Sequence, residues 1–266
     1  MVLRGEQIQR YNRHILIDEI GIKGQQRISE AKVLVIGAGG LGSAVLFYLA
    51  AAGVGTIGIA DSDVVDLTNL QRQIIHFTDD LNKSKVQSAK EKIIGINPNV
   101  HVNTHPEFVN SNNIPGLIQE YDFIVDGTDN FSSKFLINDA CVIAGKPFSH
   151  AGVLVFDGQM MTVVPKMSAC LRCVFPKPPP PAAEQSSNQV GILGSLAGTF
   201  GTLQATEALK FIVQKGALLT NRLLIYNALE LTFREVKLKK RTACPACGEN
   251  PKISTLTDYE NTICSL

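Results

Sequence analysis

"KVLVIGAGGLGSAVLFYLAAAGVGTIGIAD", residues 32–61, decides the fold. Its first part, "KVLVIG" (32–37), is an apolar, β-branched run, the pattern of a strand buried on both faces. "GLGSAVLFYLAAAG" (40–53) reads as a helix closed by Gly53, and "TIGIAD" (56–61) as a second buried strand ending on an acid. No charge falls between Val33 and Ala60, a length sufficient to span a bilayer. The glycines, however, cluster where turns belong, so a strand–turn–helix–strand unit accounts for the segment better than a membrane span does.

Working outward, the alternation continues. "NKSKVQSAKEKIIGIN" (82–97) reads as a helix stopped at Pro98, and "NVHVNTH" (99–105) as a strand. "NIPGLIQE" (113–120) is a short helix with Pro115 in its first turn. "YDFIVDGTD" (121–129) is another buried strand ending in acids, and "KFLINDACVIAGK" (134–146) a helix closed by Gly145 and Pro147. From Phe148 the pattern changes. "FSHAGVLVFDGQMMTVVP" (148–165) reads as antiparallel strands, with Asp157-Gly158 as the expected hairpin turn. A long helix (194–214) and two final strands within 222–240 complete the pattern. These elements predict an α/β fold: a doubly wound, mostly parallel sheet with an antiparallel C-terminal extension. The proline run "KPPPP" (177–181) is the only low-complexity element, and no internal repeat is evident.

Composition removes several function classes. The 266 residues, 45% of them hydrophobic, are enough for a sizeable core. With 25 Lys+Arg against 24 Asp+Glu, the net charge of +1 gives no reason to expect nucleic acid or an anionic membrane as partner. The opening "MVLRGEQIQRYNRH" carries charges and no apolar run, which argues against a secretion signal and for a cytoplasmic location.

The chemistry-bearing motifs lie at strand ends. "GAGGLG" (37–42) joins a strand to a helix, where glycines let the backbone approach a phosphate and the helix N-terminus offers free N–H groups. Asp61, ending the next strand, is placed to hold a ribose hydroxyl. Just beyond it stand Asp63, Asn69, Arg72 and Gln73, with Lys85 opening the following helix. An NAD site needs one acid here; an added Arg and Lys point to a triphosphate. In "DGTDN" (126–130), Asp129 is the candidate for Mg²⁺, which takes one or two protein carboxylates beside nucleotide phosphates, while Asp126 reads as structural. None of the five histidines has a spacing that demands catalysis.

Cys170 and Cys173 form one C-x-x-C pair, and Cys244 and Cys247 a second, about 70 residues later. Together they can close a tetrahedral Cys₄ zinc site of the structural kind. Cys141 falls on an apolar helix face and reads as core; Cys264, near the end, reads as an exposed thiol.

Taken in order, "RYNRHI", "GAGGLG", "DSDxVxxxNLQRQ", "KSKVxSA", "DGTDN" and the two C-x-x-C pairs resemble the ThiF/MoeB/HesA family of ubiquitin-activating-enzyme-like adenylyltransferases, from about residue 6 to 250. The resemblance implies a homodimer of Rossmann-like subunits that use ATP and Mg²⁺ to adenylate the C-terminal Gly-Gly carboxylate of a small ubiquitin-like sulfur-carrier protein. Pyrophosphate is released, and a separate sulfur donor acts afterwards. By matching position, Gly37, Gly39, Gly40 and Gly42 form the nucleotide loop and Asp61 takes the ribose. Asn69, Arg72 and Lys85 face the phosphates, Asp129 takes Mg²⁺, Arg13 reaches into the partner subunit's site, and the four cysteines hold Zn²⁺. On this reading residues 1–266 are one adenylation domain: a helical arm (1–30), a nucleotide-binding core (31–165), a first zinc half-site and crossover loop (166–193), a long helix with final strands and second half-site (194–250), and a tail (251–266). The tail resembles the stretch that precedes a rhodanese domain in longer relatives, and a domain of this type without rhodanese is expected.

The chemistry fits such a site. A carboxylate is ionised at neutral pH and attacks the α-phosphate without a general base; it needs charge relief and in-line positioning. Many family members carry a cysteine in the crossover loop. Here Ser187, beside Ser186, takes that place, and residues 174–243 contain no cysteine. No covalent thioester is therefore expected there. Three alternatives remain at this point: adenylation of a peptide or small-molecule carboxylate, an NAD(P) oxidoreductase, and a non-catalytic carrier-binding scaffold.

Overall fold

The computed structural model describes residues 3–179 and 190–259. Ser186, Ser187 and Cys264 lie outside the described residues. Three short helices come first: α1 (Gly5–Arg10), α2 (Asn12–Ile15) and α3 (Gly21–Glu30). The alternating part follows as β1 (Lys32–Ile36), α4 (Gly40–Ala52), β2 (Thr56–Ala60), α5 (Lys85–Ile96), β3 (His101–His105), α6 (Ile114–Gln119), β4 (Phe123–Asp126) and α7 (Phe131–Ala144). The remainder is β5 (Phe148–Leu154), β6 (Asp157–Val163), α8 (Leu171–Val174), α9 (Gly194–Val213), β7 (Arg222–Asn227) and β8 (Thr232–Lys237).

All eight strands form one sheet in the order β3-β2-β1-β4-β5-β6-β7-β8. The first five are parallel, and β5 to β8 pair antiparallel, as the sequence pattern predicts. Because β1 is buried on both faces, its side chains divide between two cores. Val33 and Val35 join Val45, Leu49, Ile57 and Ile212 under α4, α5 and α9. Leu34 and Ile36 join Ile114, Phe135 and Leu136 under α6 and α7. Helix α4 has almost no polar face, because α9 covers the side turned away from the sheet; it ends on Gly53 in the left-handed conformation.

One expectation is corrected. The β5–β6 turn is Val155-Phe156, not Asp157-Gly158: Leu154 pairs with Asp157, and Val155 adopts φ 54°. Gly158 has a packing reason instead, since a Cβ there would meet Phe200 Cε2 at 2.0 Å. Among the described residues no helix is long and apolar enough to cross a membrane.

Candidate functional site

The order 3-2-1-4-5 reverses direction between β1 and β4, where an open α/β sheet offers a crevice beyond its strand ends. The loops leaving those two strands touch: the Gly127 N–H donates to Ile36 O at 2.8 Å. A Cβ on Gly37 would meet Gly127 O at 2.7 Å. Above this junction lies a cleft of about 730 Å³, the size of a ligand site.

The glycine loop is fixed from two directions through Ala38. Its N–H donates to Asp61 Oδ2 at 2.8 Å, and its carbonyl accepts from His76 Nε2 at 2.9 Å. His76 Nδ1 meets Ser88 Oγ at 2.8 Å, and burial keeps the ring's pKa below its ordinary value. Gly37, Gly39 and Gly40 line the cleft together with the start of α4, whose first N–H groups have no acceptor inside the helix. Gly42 plays a different part from the one its motif suggests. It is buried beneath the loop, where a Cβ would lie 1.9 Å from Gly37 O, so it permits the turn rather than lining the cleft.

Asp61, Asp63, Arg72, Gln73, Lys85 and Asp129 all line this cleft. The Lys85 side chain is 6% exposed, and its Nζ meets the largely exposed Asp63 at 2.8 Å. Arg72 lays its stem against Gly40 and donates to Thr68 O at 3.1 Å. Gln73 is buried and its Oε1 has no hydrogen-bond partner, a polar group that a bound ligand would complete. Asp129 is exposed on the rim, just before Asn130, which caps α7 by accepting the Ser133 N–H at 2.8 Å. The structure does not bring Asn69 or Arg13 to the cleft wall. Asn69 sits in the short 3₁₀ turn Leu67–Asn69, and Arg13 is exposed on α2.

Asp126 reads as structural from sequence, and it is buried, but its partners were not legible. Burial pushes its carboxyl up; Lys134 and the His150 hydrogen bond outweigh that and hold it down at about 2. Lys134 Nζ stands 3.2 Å away and His150 Nδ1 2.8 Å. Both Lys134 and His150 line the cleft. Parallel register sets His150 beside Asp126, a neighbour relation invisible in a linear chain. On the far side, the cleft is walled by Phe135, Leu171, Phe175, Val153 and Ile192. Gly191 lies against the β5–β6 turn, its carbonyl accepting the Val155 N–H at 3.2 Å.

The four predicted zinc ligands do converge. Their sulfurs all lie within 4.8 Å of one another, with Cys170–Cys244 at 3.7 Å and Cys173–Cys247 at 3.4 Å. Thiolates 2.3 Å from a tetrahedral zinc lie about 3.8 Å apart, so the donor set fits that ion. Hydrogen bonding among the crowded sulfurs lowers the Cys173 thiol below its usual value and raises that of Cys170. Cys141 is fully buried, as its apolar helix face predicts.

A model of the ThiF family matches residues 11–246. The chain belongs to this family. Among ThiF-family relatives it is 44% identical over 262 residues to the probable adenylyltransferase/sulfurtransferase MoeZ of Mycobacterium tuberculosis, covering 97% of this chain and 65% of that one. The chain therefore spans about two thirds of the length of that relative. It is 41% identical to the sulfur carrier protein adenylyltransferase of Thermus thermophilus, covering 96% of both. Among solved structures, E. coli MccB with AMPCPP and selenomethionine MccA superposes with a TM-score of 0.80 at 25% identity, over 90% of this chain and 74% of that one.

Proposed function

We propose that the chain is an ATP-dependent adenylyltransferase that activates the C-terminal Gly-Gly carboxylate of a small ubiquitin-like sulfur-carrier protein. The observation that carries this reading is the convergence, at the β1/β4 switch point, of a glycine loop, two cations and a rim carboxylate in one cleft. The names of the ThiF-family relatives support it. Asp61 takes the ribose, and the α4 N-terminus takes phosphate oxygens. Arg72 forks onto the phosphates while Lys85, released from Asp63, supplies a point charge. Asn69 adds a polar contact once its turn closes on ligand. Asp129 would hold Mg²⁺, which when bound neutralises phosphate charge. The acyl chain then enters along β5 and β6.

The carboxylate oxygen attacks the α-phosphorus, pyrophosphate leaves, and the mixed anhydride remains. Nothing in this step needs a proton acceptor. Two further parts belong to the proposal: a homodimer in which Arg13 reaches the neighbouring site, and Zn²⁺ held by the four cysteines as a structural ion. ATP–pyrophosphate exchange tests the reading. Exchange that depends on one Gly-Gly carrier and its free C-terminus is the expected result. Exchange without any carrier, driven by a short peptide or small carboxylate, would replace the acyl substrate; nicotinamide-nucleotide binding without exchange would replace the reaction.

A further inference from the structure

Two buried histidines stand close to the site, His76 behind the glycine loop and His150 in the cleft wall, and they are satisfied differently. His76 uses both ring nitrogens, Nδ1 with Ser88 and Nε2 with Ala38 O, as a packed structural histidine does. His150 uses one. Its Nδ1 meets Asp126 Oδ2 at 2.8 Å; among the described residues no hydrogen bond engages Nε2, and the ring forms part of the cleft wall.

The surroundings fix the tautomer. Lys134 Nζ touches both Asp126 oxygens, at 3.3 and 3.2 Å, and Ala151 O at 2.6 Å. That buried cation keeps Asp126 ionised. An ionised carboxylate only accepts, so the proton sits on His150 Nδ1 and the Nε2 lone pair is bare. The charged groups against the ring are Asp126 of β4 and Lys134 of α7, and burial is the leading cause that keeps the imidazole neutral. A carboxylate holding Nδ1–H while Nε2 faces a reaction cleft is the arrangement of a general base.

Its position fits a second step rather than the first. His150 lies on β5, two strands from the glycine-loop strand β1, or about 10 Å at normal strand spacing. That is the side along which the adenylation reading above brings the acyl chain, beside Val153 and Gln159 of the cleft wall. Adenylation itself needs no base, and residues 174–243 supply no cysteine to the crossover loop. We propose that His150, oriented by Asp126, is the proton acceptor for a thiol that discharges the acyl-adenylate. This inference rests on the adenylation reading above. In the step, the thiol sulfur bonds to the acyl carbon, the carbon–oxygen bond to phosphate breaks, AMP leaves with the electron pair, and the thiol proton passes to His150 Nε2. Asp126 is a positioning residue.

The test compares His150→Gln with the wild type, using the Gly-Gly carrier that supports exchange. Two rates are measured: ATP–pyrophosphate exchange, and discharge of the adenylate by dithiothreitol, whose thiols are protonated at neutral pH. Discharge should fall about 100-fold more than exchange does, the lower range for loss of a general base. Discharge by an aryl thiol already ionised at that pH should be unaffected. Equal discharge by dithiothreitol in variant and wild type would overturn the assignment, as would an equal loss with the aryl thiolate. His150→Asn provides a second non-basic side chain if the glutamine variant unfolds. Absence of exchange in the wild type with every carrier would instead remove the adenylation reading, and this inference with it.

Discussion

Arg172 and Arg72 show how differently the molecule treats charge in its two sites. Arg172 lies between the zinc-type ligands Cys170 and Cys173 and is 3% exposed. Its Nε and Nη2 fork onto both oxygens of buried Asp139 at 2.6 and 2.7 Å, and its Nη1 donates to Pro176 O at 3.0 Å. The rings of Phe135 and Tyr259 flank the guanidinium, and the Tyr259 hydroxyl bonds to the same pair. Among the described residues Arg72 makes one hydrogen bond, to an exposed carbonyl, beside a glutamine with an unpaired oxygen and a carboxylate on the rim. A buried charge must be paired internally, whereas a charge kept for a ligand is paired by the ligand. The cysteine knot is closed on itself, whereas the cleft keeps a buried, unpartnered Gln73 oxygen and an exposed Asp129 carboxylate beside its internally paired charges. Helix α7 joins them, with Lys134 toward the cleft and Asp139 toward the knot.

The contrast can be broken most forcefully at the knot. Cys170→Ser removes one of the four proposed zinc ligands, and zinc binding is worth on the order of 10 kcal/mol. The variant should lose zinc and melt far below the wild type, as should the wild type in a strong chelator; metal analysis with calorimetry reads both. At the cleft the expected loss lies in rate. Arg72→Ala should lower exchange about 10³-fold while the melting temperature stays unchanged. A variant that unfolds would show that Arg72 belongs with Arg172 after all.

Asp139→Ala strands Arg172 without its counter-ion and should cost roughly 3–5 kcal/mol in denaturant unfolding. It should leave ATP binding to the folded fraction intact. Smaller still is a pH effect from the charged wall of the cleft. The Asp126 carboxyl is lowered to about 2 from its usual 3.8, so its stabilisation is complete above the higher value and lost as pH falls toward the lower. The shift corresponds to about 2 kcal/mol. His76 and His150 have lowered values, so the unfolded chain takes up protons the native state refuses, and stability should begin to fall as pH drops through the usual 6.5. Urea unfolding across pH 2–8 measures both; a stability flat between 6.5 and 4 would mean that these rings are protonated in the native state.

What the sequence made legible was local. Strand–glycine–helix order, the acid at the end of β2 and the two C-x-x-C spacings each lie within a few residues, and they mark the switch point and the knot. What escaped was set by register and long-range packing. Arg172 finds Asp139 at a separation of 33 residues and Tyr259 at 87, and nothing in "CLRC" announces either. His150 meets Asp126 only because β4 and β5 run parallel in one register. The misplaced hairpin has the same origin: Asp157-Gly158 has turn chemistry, but Phe200, on a helix more than forty residues away, claims the space above that glycine. Asn69 and Arg13 stand off the cleft wall, and nothing in "NLQRQ" or "RYNRHI" announces that distance.

The most direct test of the account is the intact mass of a Gly-Gly carrier incubated with the protein, ATP and Mg²⁺ in the absence of a sulfur donor. The account predicts a carrier heavier by one adenylyl group, lost when Arg72→Ala replaces the wild type or when the carrier lacks its terminal glycine. A carrier of unchanged mass in the presence of wild-type protein with bound ATP would contradict it.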